Sequence, residues 1–162
     1  MYATASPSSE HCFEGNVLYC IDCICIDSTS TTDMGGPVGT EVFSFMEGTI
    51  HSAGYNPEPG DYGHVIVTEH TLRGVRFWAL FGHLDEQSSC QWKKGDTFDK
   101  GLCIGRFGDE SENGGWFPHV HFQLSLLEPE THDMPGVVLV SEREAALITY
   151  PDPQNVTGRF YD

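Results

Sequence analysis

The chain predicts a mainly β, antiparallel fold, a sandwich or barrel, on three observations. Short runs alternate apolar and polar residues with period 2, as half-buried strands do. Two such runs, HVIVTEH and GVRFWALFGHL, stand on either side of a short Leu-Arg-Gly connection and read as a hairpin. Gly-rich turns separate the runs throughout. At 162 residues the chain has the length of one domain and buries a real core.

The elements follow in order. Residues 1–15 are polar and Ser-rich and read as a loose N-terminal tail. NVLYCIDCICID, residues 16–27, reads as a strand, and STSTTDMGGPVG as a loop. TEVFSFMEGTIHSAG alternates well, with a bend at Gly48. NPEPGDYG is a turn-forming loop that delivers the chain to the hairpin. The polar stretch DEQSSCQWKKGDTFDKG leads to a short strand, LCIGRFG, and the acidic loop GDESENGGWFP leads to the strand VHFQLSL. Beyond Glu128 the composition is mixed, and SEREAALITY is expected to form a helical turn or two. The β domain is therefore expected over 16–128, with 129–162 as a C-terminal extension packing on it or leaving it.

Composition narrows the function. Against 24 acidic residues stand 8 Lys and Arg, a net charge of −16. Nucleic acid and anionic membranes are poor partners for such a surface, because binding them requires basic clusters. No stretch approaches the length a bilayer requires. The N-terminus carries neither a basic start nor an apolar core of the secretory type, so a cytoplasmic location is expected. Six cysteines are present, and reduced thiols are expected in that compartment. Cys20, Cys23 and Cys25 have a thiolate-site spacing but no matching second pair, and burial in a small strand explains them equally well.

The run FPHVHFQ carries the sharpest chemical signal. In a strand, His119 and His121 point to one side, roughly 6–7 Å apart, while Val120, Phe122 and Leu124 point to the other. Such a pair supplies a metal ligand and a neighbouring acid or base, or is simply two surface histidines. The strand ending in FGHL carries Val75, Phe77, Ala79, Phe81 and His83 on one face by alternation, and His83 at its end reaches a loop-rimmed groove. Three histidines then line one cleft, and a carboxylate beside them completes a zinc site. His64 and His70 read as structural or surface residues, and His11, His51 and His132 as tail or turn residues. Trp116 is placed to wall the groove, with Gly114 and Gly115 allowing a close approach of the chain.

The ordered set GTEVFSFMEGTIHSAG, DYGHVIVTEH, FWALFGHL and FPHVHFQL resembles the lysostaphin-like (LytM-like) zinc endopeptidases over roughly residues 33–162. DMPGV and PDPQNVTG look most like the cytoplasmic version found in multidomain proteins with a class III aminotransferase module. The resemblance implies the lysostaphin-like (duplicated hybrid motif) β fold with a histidine-lined groove, a zinc cofactor, and a peptide or peptidoglycan-derived substrate. It implies further that His121 is a zinc ligand and that His119 and His83 are catalytic. In the family the remaining ligands come from a His-x-x-x-Asp motif preceding a Gly-Thr-x-Val strand. Here Gly39-Thr40-Glu41-Val42 matches the strand, Asp33 matches the Asp, and Thr29 stands where the His belongs.

A hydroxyl is a poor substitute for imidazole on zinc, so the resemblance implies a degenerate metal site. Three outcomes stay open. Cys23 and Asp27 keep the spacing and take the two places if a loop is inserted before Gly39; Cys23 or Cys25 folds over to complete a site with Asp33; or the site is dead. The enzyme reading is a zinc metallopeptidase. The alternative is a non-catalytic binding or structural module that keeps the fold and serves a protein partner, an aminotransferase-type module among them. A third reading places a Cys-rich metal or redox site near the N-terminus, independent of the groove.

Overall fold

A computed structural model describes residues 19–20, 23–25 and 31–158. Its centre is a six-stranded antiparallel sheet. In chain order the strands are β1 (Tyr19–Cys20), β2 (Cys23–Cys25), β3 (Thr31–Gly35), β4 (Glu41–Phe43), β5 (Gly48–Asn56), β6 (Gly63–Leu72), β7 (Val75–Leu84), β8 (Thr97–Phe98), β9 (Cys103–Arg106), β10 (His119–Ser125) and β11 (Val137–Leu139). The large sheet runs β3-β10-β7-β6-β5-β8; β4 pairs with β9, and β1, β2 and β11 form a third small sheet. Helices are short: α1 (Glu86–Cys90), α2 (Arg143–Thr149) and α3 (Gln154–Thr157). Among the described residues no helix is long and apolar enough to cross a membrane.

The mainly β, antiparallel expectation holds, and so does the hairpin. Its turn is Arg73-Gly74, both with positive φ (52° and 83°), the backbone that a tight two-residue hairpin requires. The bend expected at Gly48 comes earlier, at 45–46 between β4 and β5, and Gly48 is the first residue of β5. Two expectations are corrected. The single strand expected over 16–27 is two short strands that pair antiparallel, Cys20 opposite Cys23, so the chain reverses between them. The expected loop over 28–39 contains the edge strand β3, held by β10 in a register that sets Asp33 opposite His121. The expected tail, residues 1–15, lies outside the described residues.

The large sheet separates two apolar layers. One face carries Ile66, Ala79, Phe81, Val120, Phe122 and Leu124, which pack under Val42 and Ile104 of the small β4–β9 sheet with Phe98 and Phe107. The opposite face carries Val65, Val67, Trp78 and Leu80, joined by Tyr62 from the preceding loop and Met134 from beyond β10. Alternation along the strands produces this division, because neighbours in sequence point to opposite sides.

Two bulges interrupt the alternation. Between the pairs His64↔Leu84 and Ile66↔Phe81, β6 contributes only Val65 while β7 contributes both Gly82 and His83. Between Ile50↔Thr68 and Ser52↔Val67, β5 carries His51 as an extra residue. An extra residue in one strand bends it and re-aims the side chains that follow.

Candidate functional site

The bulge in β7 corrects the face expected for His83. Strict alternation sets it beside Phe81 and Ala79, on the face covered by β4 and β9. Instead His83 adopts φ 61°, a left-handed backbone unusual for a residue with a side chain. Its ring lies 4.3 Å from that of His119 and 6.0 Å from that of His121, centroid to centroid. The expected convergence of His83, His119 and His121 therefore occurs, on the face that also carries Tyr62.

Each imidazole is oriented by a distinct partner. His83 is buried, and its Nδ1 lies 2.7 Å from the carbonyl of Asn113. His119 Nδ1 lies 2.6 Å from the carbonyl of Phe117. A carbonyl only accepts, so in both rings Nδ1 carries a proton and donates it. Burial, first, and the neighbouring His119 push the His83 pKa from 6.5 down to about 3, so this ring is neutral at physiological pH.

His121 is held differently. Its Nδ1 lies 2.9 Å from Asp33 Oδ1, across the β3–β10 pair, and its Nε2 lies 3.5 Å from Gln123 Oε1. Partial burial raises the Asp33 pKa, but the hydrogen bond from His121, first, and the electrostatic pull of His121 and His119 outweigh it and hold the carboxyl below its usual value. Tyr62 packs its ring 4.9 Å from that of His121. A Cβ on Gly82 would stand 3.0 Å from Tyr62 Cδ1, so the glycine opposite His121 makes room for the tyrosine. Burial above all, with the charges of Asp133, Asp61 and Asp33, raises the Tyr62 pKa well above its usual value, so its hydroxyl stays protonated.

The loop before β10 is built around Asn113, which is fully buried. Its amide donates to the carbonyls of Trp116 and Gly108, and its Oδ1 accepts from the backbone N–H groups of Gly115 and Trp116. Those four bonds fix the carbonyl that orients His83. The Trp116 ring lies 6.1 Å from that of His83, centroid to centroid.

Asp33 and His121 suit a metal in part. Two ligands of one tetrahedral zinc, each about 2.0–2.1 Å from it, stand about 3.3 Å apart. Asp33 Oδ1 and His121 Nδ1 are 2.9 Å apart, so a small opening sets them at that spacing. The tautomer that binds through Nδ1 carries its proton on Nε2, where Gln123 Oε1 is placed to accept it. Among the described residues no group of three or more His, Cys, Asp or Glu side chains gathers to hold a metal. Thr29 and Asp27 lie outside the described residues, as do the side chains of Cys23 and Cys25.

The alternation of β10 points to Gln123, on the same face as His119 and His121. Nothing in the sequence singled out Tyr62 or Asn113; the glycines beside them, Gly63 and Gly114-Gly115, are the traces they leave. His51, expected in a turn, is a buried residue of β5. His64 and His70 are buried structural residues, hydrogen-bonded to Ser89 and Thr68 respectively. Cys90 and Cys103 are free thiols.

Solved structures share this architecture. The catalytic domain of the antimicrobial peptidase lysostaphin from Staphylococcus simulans matches at 25% identity and TM-score 0.52, over 76% of this chain and 74% of that one. The catalytic domain of a mutant of the prophage-encoded M23 protein EnpA from Enterococcus faecalis matches at 20% identity and TM-score 0.53, over 83% and 92%. LytU matches at 17% identity and TM-score 0.53, over 93% and 90%. No curated protein sequence matches the chain. Residues 27–132 match the model of peptidase family M23, and the chain belongs to that family.

Proposed function

We propose that the chain is a peptidoglycan-endopeptidase-like domain that binds peptide beside His83, His119 and His121, with a weakened zinc site. The observation that carries this reading is the pairing of Asp33 with His121 at 2.9 Å, flanked by two imidazoles whose Nδ1 atoms are each held by a backbone carbonyl. Asp33 and His121 would hold the metal, and Thr29, at the third ligand position, is the reason to expect weak retention. A bound zinc supplies Lewis-acid polarisation of a peptide carbonyl.

The chain's own residues divide the remaining work. His83 Nε2 accepts a hydrogen bond from an attacking water and fixes its direction. A ring whose pKa is about 3 is a weak base, so His83 positions rather than deprotonates. His119, half-buried at the groove, is the ring placed to take and return the proton. The Tyr62 ring and Gln123 Oε1 keep His121 in place, and the pairing of β3 with β10 sets Asp33 opposite it. The non-catalytic alternative uses the same groove for binding alone. A partner of aminotransferase type is proposed only from the sequence over 133–137 and 151–158.

Metal analysis of the protein, with His121→Ala and Asp33→Ala beside it, tests the reading. Expected are zinc that is below one per chain and removed by mild chelation, loss of it in both variants, and peptide hydrolysis only with zinc in excess. A full equivalent of chelator-resistant zinc would overturn the weakened site. Its loss in Cys23→Ser would then identify Cys23 as the missing ligand. A folded protein that takes up no zinc and cleaves no peptide leaves the binding module.

A further inference from the structure

Four side chains on the groove face address the backbone of one segment. His51 Nε2 lies 2.9 Å from the carbonyl of Pro129, and Ser52 Oγ donates to the carbonyl of Thr131 at 3.0 Å. The Tyr62 hydroxyl donates to the carbonyl of Met134 at 3.2 Å, and Gln123 Nε2 to that of Pro135 at 3.2 Å. The acceptors run in sequence order while the donors span the sheet from β5 to β10. Residues 129–136 therefore cross the strands on the face that carries the histidine cluster. Met134 is the one buried apolar anchor, among Val65, Val67, Trp78 and Leu80.

The surface owes this pattern to the bulge in β5, which lets the adjacent residues His51 and Ser52 both reach the segment. Donors aimed at main-chain carbonyls read an extended peptide with little regard for its side chains. The face is continuous with the site, since Tyr62 and Gln123 touch both the segment and His121.

We propose that this face is a peptide-binding surface and that residues 129–136 are its occupant in cis, a strap that a substrate peptide displaces. The inference rests on the peptide-binding reading above and adds how access to that site is governed. A tethered segment competes at an effective concentration on the order of millimolar, so a free peptide binds at its intrinsic affinity multiplied by the fraction of molecules with the strap displaced.

Gly54 supplies a perturbation away from the histidines. A Cβ there would meet the His132 ring at 2.6 Å, so Gly54→Val pushes the strap off β5. The probes are a fluorescent decapeptide of residues 128–137 carrying His132→Gly, so that it lacks the ring that the new valine would meet, and a crosslinked muropeptide. The decapeptide should bind Gly54→Val at least tenfold more tightly than wild type, and the muropeptide should displace it. Equal decapeptide binding by both proteins would overturn the strap. Decapeptide binding that the muropeptide leaves undisturbed would overturn its competition with substrate. Decapeptide binding requires neither metal nor hydrolysis, so these results are separate from the zinc and cleavage assays that judge the function. If Gly54→Val does not fold, hydrogen exchange of wild type decides: saturating muropeptide should speed exchange over 130–134 several-fold, and unchanged or slowed exchange would refute the strap.

Discussion

Substituting His83 by Asn removes one buried proton acceptor while keeping a residue that tolerates the left-handed φ of 61°. The His83 pKa falls from 6.5 in the unfolded chain to about 3 in the fold. Between those values the unfolded state binds one more proton than the folded state. Stability therefore rises with pH across this window and is lost as pH falls from the unfolded value toward the folded one. Integrated from about pH 6.5 to about pH 4.5, the loss from this one group is about 2.3 kcal/mol. His64 and His70, whose pKa values burial also lowers, add losses of the same sign in wild type and variant alike. The difference between the two proteins isolates His83. Urea unfolding of metal-free protein across that range should show a wild-type midpoint that falls more steeply with acid than that of His83→Asn. The variant starts lower, because the bond to the Asn113 carbonyl is gone, but its slope should be shallower by one proton. Parallel slopes would refute the buried, neutral imidazole.

Other perturbations separate the core from the site. Phe122→Ala, at a residue 2% exposed in the layer under β4 and β9, should cost about 3–5 kcal/mol in urea unfolding. Gly63→Ala sets a Cβ 2.5 Å from the Glu112 carbonyl oxygen at a φ of 61°; it should destabilise by more than about 2 kcal/mol and disturb the His83 and Trp116 resonances together, since the same loop orients them. At position 83 itself, glycine should be more stable than alanine by about 1 kcal/mol, because only glycine relieves the left-handed backbone once the imidazole is gone; thermal melts of the two variants check it.

Alternation alone was enough to foresee the hairpin, the strand of His119 and His121, and the layer behind Phe122. It misplaced His83, because a bulge is an event between strands and adding one residue reverses every later side chain. It missed β3, since Thr31-Thr32-Asp33-Met34-Gly35 between polar and Gly-rich flanks reads as loop. That strand forms because β10 supplies its hydrogen-bond partners and Met34 finds the core. Residues 129–136 were illegible for a related reason. Their place is set by carbonyls meeting distant side chains, and every residue contributes the same carbonyl, so composition carries no trace of it.

Both bulges act on the same face, and together they define what that face can do. A regular β7 would bury the His83 ring against Phe81 and Phe122, with no carbonyl to take its proton and no route to the groove. A left-handed residue costs about 1–2 kcal/mol, offset here by the hydrogen bond to Asn113 and by the packing of three rings. A regular β5 would turn either His51 or Ser52 away and leave one strap carbonyl unpartnered beside buried Trp78. Proton-handling side chains and main-chain-reading side chains are thus brought to one surface by two local irregularities in an otherwise regular sheet. That juxtaposition, more than any single residue, is what suits the face to a peptide: one half fixes an extended backbone, and the other presents imidazoles beside a carboxylate.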